Sequence, residues 1–180
     1  MKFLTKDLII CSIFASITAI LSQVSIPIPF TTVPLTMQVF AVALAGVVLG
    51  AKRGFISQIV YVFIGSIGIP VFAQMSGGIG VVLGPTGGFI LGFPLMALVV
   101  GYFSEKFKNP IYILLGMIVG LLIDYTIGTI MFSVITKMTF NQSIMACIVP
   151  FIALDFMKIL LATTVGIGVS KRIKVSLKSY

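Results

Sequence analysis

Six apolar runs, separated by short basic links or by proline- and glycine-rich stretches, decide most of what this chain can fold into. They cover about 8–22, 35–51, 54–69, 89–103, 111–135 and 143–170. A helix needs roughly 20 apolar residues to cross a bilayer core of about 30 Å, and within lipid the backbone must satisfy its own hydrogen bonds. The expected fold is therefore all-α and integral to the membrane: a six-transmembrane-helix bundle, one membrane domain over residues 1–180. Composition agrees, with 59% hydrophobic and 9% charged residues, where a soluble domain carries about a quarter charged.

The formal charge of +8 does not point to nucleic acid, because the basic residues sit in the short links, as juxtamembrane anchors do. With six spans, both termini share one side with Lys2, Lys6, Lys52, Arg53, Lys106, Lys108 and the C-terminal cluster, while Lys137 falls on the other. The positive-inside rule then predicts a multi-pass protein of the plasma (cytoplasmic) membrane with both termini cytoplasmic. The start at Lys2 and Lys6 leads into a run too long for a typical signal core, and no cleavable signal is expected.

That orientation puts two unusual links outside the cytoplasm. Pro27, Pro29 and Pro34 forbid a regular helix after the first run, yet the segment is uncharged and apolar, so it is expected to fold back onto the bundle. The second link, 71–88, is rich in glycine and carries Gln74, Ser76 and Gly77. It closes on Gly84-Pro85-Thr86-Gly87-Gly88, whose backbone N–H groups and hydroxyl open the fourth run as a helix N-terminus that can hold polar or anionic groups. Irregular backbone at membrane depth is tolerated where it is packed in protein or lines a cavity. The two extracytoplasmic loops are thus the expected walls of a ligand site.

Asp155 and Lys158 lie inside the last apolar run, three residues apart and so on one helical face. At about 1.5 Å per residue a continuous helix over this run would put Asp155 near the bilayer midplane. Charge there costs about 2.5–3.5 kcal/mol on insertion scales and ordinarily serves a function. The pair reads either as a structural ion pair or as part of a pocket for a small polar or anionic solute, and the second reading is preferred. Asp124, in the fifth run beside Tyr125, has three open readings: it supports the pocket, pairs with Lys158, or stands uncharged in an apolar setting.

Other chemistry is poorly represented. The glycines at 78, 80 and 84 lack the spacing of a dinucleotide loop, and no triad, nucleotide-binding loop or metal-ligand cluster is evident in a chain without histidine. No enzyme activity is expected. Cys11 and Cys147 read as small buried apolar residues. Small residues recur at four-residue spacing at Ala15/Ala19, Ala41/Ala45 and Gly116/Gly120, where helix backbones can approach closely.

Four segments in order carry a resemblance: Pro27-Ile-Pro29-Phe-Thr-Thr-Val-Pro34-Leu-Thr-Met-Gln38, Gly68-Ile-Pro70-Val-Phe-Ala73, Leu83-Gly84-Pro-Thr-Gly-Gly88-Phe-Ile-Leu-Gly92-Phe and Asp155-Phe-Met-Lys158. Together they resemble the BioY family, the biotin-specific S components of energy-coupling factor (ECF) transporters, over nearly the whole chain. The resemblance implies a six-helix protein that captures biotin, with a membrane T component and two ATPase subunits as partners and no cofactor. It implies biotin contacts from Asp155 and Lys158, with Gln74, Ser76 and Gly77 as candidates in the loop, and T-component docking through Ala15 and Ala19. Biotin's chemistry suits these residues: Lys158 is a counter-ion for its carboxylate, and Asp155 an acceptor for its ureido N–H groups. Thr86 is a further ligand-site candidate, and Phe30, Phe72, Phe89 or Tyr125 could bed the fused rings. The alternative is a self-sufficient, proton-coupled secondary transporter of a small carboxylate, using Asp124 and Asp155.

Overall fold

The computed structural model describes residues 5–29 and 31–178, the last six of these by backbone alone. Lys2 and Phe30 lie outside the described residues. Among those described, the helices are α1 (Thr5–Ser22), α2 (Gln38–Leu49), α3 (Ala51–Ser66), α4 (Ile79–Val82), α5 (Gly87–Lys106), α6 (Pro110–Thr136), α7 (Phe140–Cys147) and α8 (Ile152–Lys178). A two-residue antiparallel pair, β1 (Ser25–Ile26) with β2 (Leu35–Thr36), ties the ends of the proline-rich link together. Four helices, α1, α5, α6 and α8, are long and apolar enough to cross a membrane, and α2 is a shorter apolar helix.

The helix starts follow from local chemistry. Asn109 caps α6, its side chain accepting from the Ile111 N–H at 3.0 Å, with Pro110 in the first turn where no donor is needed. Thr139 and Gln142 form a reciprocal capping box that starts α7. Between α2 and α3 the chain turns at Gly50, whose φ of 82° favours glycine. α5 and α6 pack most intimately, because Gly88 lies directly against the backbone of Ile127 and Gly128, and Gly120 lies under Met96. The buried core runs through Val42, Tyr61, Phe93, Met96, Met117 and Ile159.

Three expectations need correction. The last run is not one helix over 143–170: α7 ends at Cys147, 148–151 form turns, and α8 starts at Ile152. Pro150 has no N–H to give and its ring crowds the carbonyl one turn back, which favours a break in the helix there. Asp155 consequently stands in the first turn of α8 rather than at mid-helix. Likewise Leu35 and Thr36 belong to β2, and α2 begins only at Gln38.

The third correction concerns α1. Ala15 is 2% exposed and part of the core, and Ala19 is partly buried against the same cluster. The pair faces the bundle's own interior, not the outside. The outward stripe of α1 is instead Leu8, Ile9, Ser12, Ile13, Ser16 and Ile20. Ser12 and Ser16 each return their hydroxyl to the carbonyl four residues back, at 3.0 Å, which leaves small, internally satisfied side chains on that face.

A cavity built around a braced carboxylate

Starting α8 just after the turn at 148–151 has an electrostatic consequence. A carboxylate in the first turn of a helix lies at the positive end of the macrodipole, which is where Asp155 sits. Its side chain is buried and engaged at both oxygens. Lys158 Nζ donates to Oδ1 at 2.6 Å, one turn along the same helix, and Tyr125 Oη on α6 donates to Oδ2 at 2.7 Å. Lys158 is itself only 9% exposed. An ammonium has three donors, and among the described residues Asp155 is the acceptor of just one. The remaining N–H groups are free to meet a ligand oxygen.

The pair stands at the edge of a cavity of ≈ 150 Å³, several times the roughly 30 Å³ share of one water, so a small organic ligand fits the space better than a bridging solvent molecule. Around it the fold assembles most of the residues expected from sequence: Gln74, Ser76, Thr86 and Phe89 line it with Asp155, Lys158 and Tyr125. Phe72 joins them, as do Thr32, Val33 and Pro34, so the proline-rich link folds back onto the bundle and forms a wall. Gly77 does not reach the cavity; its Cα is pressed against the backbone of Ile69. Asp124 lines the cavity but makes no pair with Lys158.

The loop that carries Gln74 is strained and braced. Gln74 and Met75 hold φ of 58° and 53°, left-handed conformations that cost non-glycine residues about 1–2 kcal/mol each. The turn is closed by Phe72 N–H to Ser76 O at 2.9 Å, and Gln23 at the end of α1 grips it from both sides. Its Nε2 donates to Phe72 O at 3.0 Å, and its Oε1 accepts from Met75 N–H at 2.9 Å. Strain retained in this way is typical of ligand-holding loops.

The sequence model of the BioY family matches residues 1–175. The chain belongs to the BioY family. The family is one of transporter components, not of enzymes. Similar relatives include the biotin transporter BioY of Thermotoga maritima, 35% identical over 166 residues that make up 92% of this chain and 96% of that one. The probable biotin transporter BioY of Pyrococcus horikoshii is 40% identical over 153 residues, 85% of this chain and 89% of the relative. The fold is similar to a crystal structure of the S component for biotin from an ECF-type ABC transporter, with a TM-score of 0.85, 27% identity, and coverage of 92% of this chain and 91% of that one.

In this BioY chain Phe93 and the polar residue Gln38, both lining the cavity, escaped sequence reasoning. Gln38, at the start of α2, is buried and accepts from Thr36 Oγ1 at 2.9 Å while donating to Tyr61 Oη at 2.8 Å; Tyr61 in turn donates to Val71 O at 3.0 Å. This relay ties the proline-rich wall to the Gln74 loop. Its signal in the sequence was an uncharged polar residue opening an apolar run, and a hydrogen-bonding residue there needs partners once buried.

Proposed function

We propose that this chain is a biotin-capturing S component of an ECF-type uptake transporter, with a membrane T component and two ATPase subunits supplying transport energy. The observation that carries the reading is the buried Asp155–Lys158 pair, braced by Tyr125 and set at the edge of a cavity with polar and aromatic walls, in a chain of the BioY family. Lys158 offers N–H groups to a carboxylate or ureido oxygen, and Asp155 offers acceptor capacity to ureido N–H groups. Phe72, Phe89 and Phe93 supply an apolar bed for fused rings.

In the membrane, α1, α2, α3, α5, α6 and α8 act as the six spans of a single domain over residues 1–180. Both termini face the cytoplasm and the cavity loops face outside. The ion pair of Asp7 with Arg53 at 2.8 Å supports this arrangement, since it holds the start of α1 beside the basic α2–α3 turn. Gln74, Ser76, Thr86 and Phe89 complete the ligand site, the loop residues closing it from the outer side. Equilibrium titration of the purified protein with biotin tests the reading. Saturable one-to-one binding, undiminished by an excess of unrelated small carboxylates, is expected; absence of biotin binding by folded protein would refute it.

A further inference from the structure

Asp124 is an unused acceptor in a cavity where every other charge is matched. It is 1% exposed, it lines the cavity, and its Oδ1 is enclosed without a hydrogen-bond partner. No ion pair or hydrogen bond joins it to any described residue, and the one cation lining the cavity, Lys158, is held by Asp155. The fold nevertheless keeps space for it. α5 presents Gly92 opposite, and a Cβ there would collide with the Asp124 carboxyl, so the carboxyl occupies the room that the missing side chain leaves. Leaving a buried acceptor unsatisfied is costly, and such groups in native structures call for an explanation. A purely structural role would give Asp124 an internal donor, as Tyr125 and Lys158 do for Asp155.

From this geometry we infer that Asp124 accepts a hydrogen bond from an N–H group of the ligand's cyclic urea and so sets selectivity for that ring, an inference that rests on the biotin reading above. A cyclic urea presents two N–H donors on opposite sides of one carbonyl. Asp155 has both oxygens already engaged, whereas Asp124 has none, which makes Asp124 the acceptor with most to gain. A site built to bond a donor rejects analogues that lack it, because its own buried group is then left unpaired. Asp124 is a specificity-determining residue in this sense.

The test compares biotin with biotin methylated at both ureido nitrogens, on wild-type protein and on Asp124→Leu and Asp124→Asn. Leucine is close in size and removes the acceptor; asparagine keeps one carbonyl. A hydrogen bond to a charged or strongly polar group corresponds to about 10- to 100-fold in affinity. Asp124→Leu is expected to lose that much for biotin and little for the methylated ligand, with Asp124→Asn in between. Equal affinity of Asp124→Leu and wild type for biotin overturns the assignment, and so does an equal loss for both ligands. If wild-type protein itself fails to bind biotin, the functional reading falls, and the inference falls with it.

A second measurement does not depend on variants folding. The chain has three aspartates, Asp7, Asp124 and Asp155, so ¹³C labelling of aspartate carboxyls yields three resonances. Two should move when biotin is added to wild-type protein, while Asp7, at the far end of α1, stays still. An Asp124 resonance that stays unmoved on adding biotin would contradict the proposal.

Discussion

Tyr125 on α6 holds Asp155 on α8 by a 2.7 Å hydrogen bond, so the two longest helices meet at the residue that anchors the cavity. Hydrogen bonds to charged groups contribute about 1.5–3 kcal/mol. Tyr125→Phe keeps the ring and removes the donor. It is expected to lower the thermal midpoint of the ligand-free protein and to weaken biotin binding by roughly tenfold. Unaltered affinity would show that the brace is not part of binding.

The wall formed by Thr32, Val33 and Pro34 is uncharged and, among the described residues, is held at its base by the short β1–β2 pair and by the relay from Thr36 through Gln38 to Tyr61. It is therefore the segment best placed to open and close. Hydrogen exchange over 28–36 should slow on adding biotin, while exchange in the core of α6 stays the same. Equal exchange with and without ligand would reduce this segment to a fixed wall.

How much of this was visible beforehand depended on the kind of signal. Asp155 and Lys158 stood out because charge within an apolar run is costly wherever it lands, and their shared face follows from helix geometry alone. Tyr125 as the partner of Asp155 did not, since a contact across 30 residues of sequence depends on how α6 and α8 pack. The break at Pro150 was readable from the missing N–H, yet the unbroken apolarity on both sides of it favoured one long span. Periodicity told that Ala15 and Ala19 share a face, but not that this face turns inward. Only the packing of α1 on α2 and α3 decides that.

The outward stripe of α1 is the better candidate for the T-component surface. Ser12 and Ser16 are small, exposed and self-bonded, flanked by exposed Ile9, Ile13 and Ile20. Ser12→Trp with Ser16→Trp should abolish co-purification with the T component and leave biotin binding within about twofold, since surface changes ordinarily alter stability by less than about 0.5 kcal/mol. Ala15→Trp with Ala19→Trp should instead overpack the core and impair folding, at a cost of about 1–3 kcal/mol or more. The reverse pattern would return the docking surface to the alanines.

Met75 is exposed, lies outside the cavity lining, and holds a left-handed backbone conformation. Glycine adopts that conformation without the Cβ penalty. Met75→Gly is therefore expected to raise the thermal midpoint of the ligand-free protein, by an amount equivalent to about 0.5–1 kcal/mol once glycine's extra chain entropy is subtracted. A lower midpoint would mean that the Gln23 brace, not backbone strain, governs this loop.

Removing one partner of a buried ion pair leaves the other charge uncompensated, at a cost of about 3–5 kcal/mol. Equilibrium biotin binding to Lys158→Ala and Asp155→Asn, each checked for a monodisperse, helical fold, puts the cavity's role at stake in a single experiment. Both variants should bind at least about a hundredfold more weakly than wild type. Wild-type affinity in both, with folding intact, would show that biotin is held elsewhere and that the Asp155–Lys158 pair is only a structural link in α8.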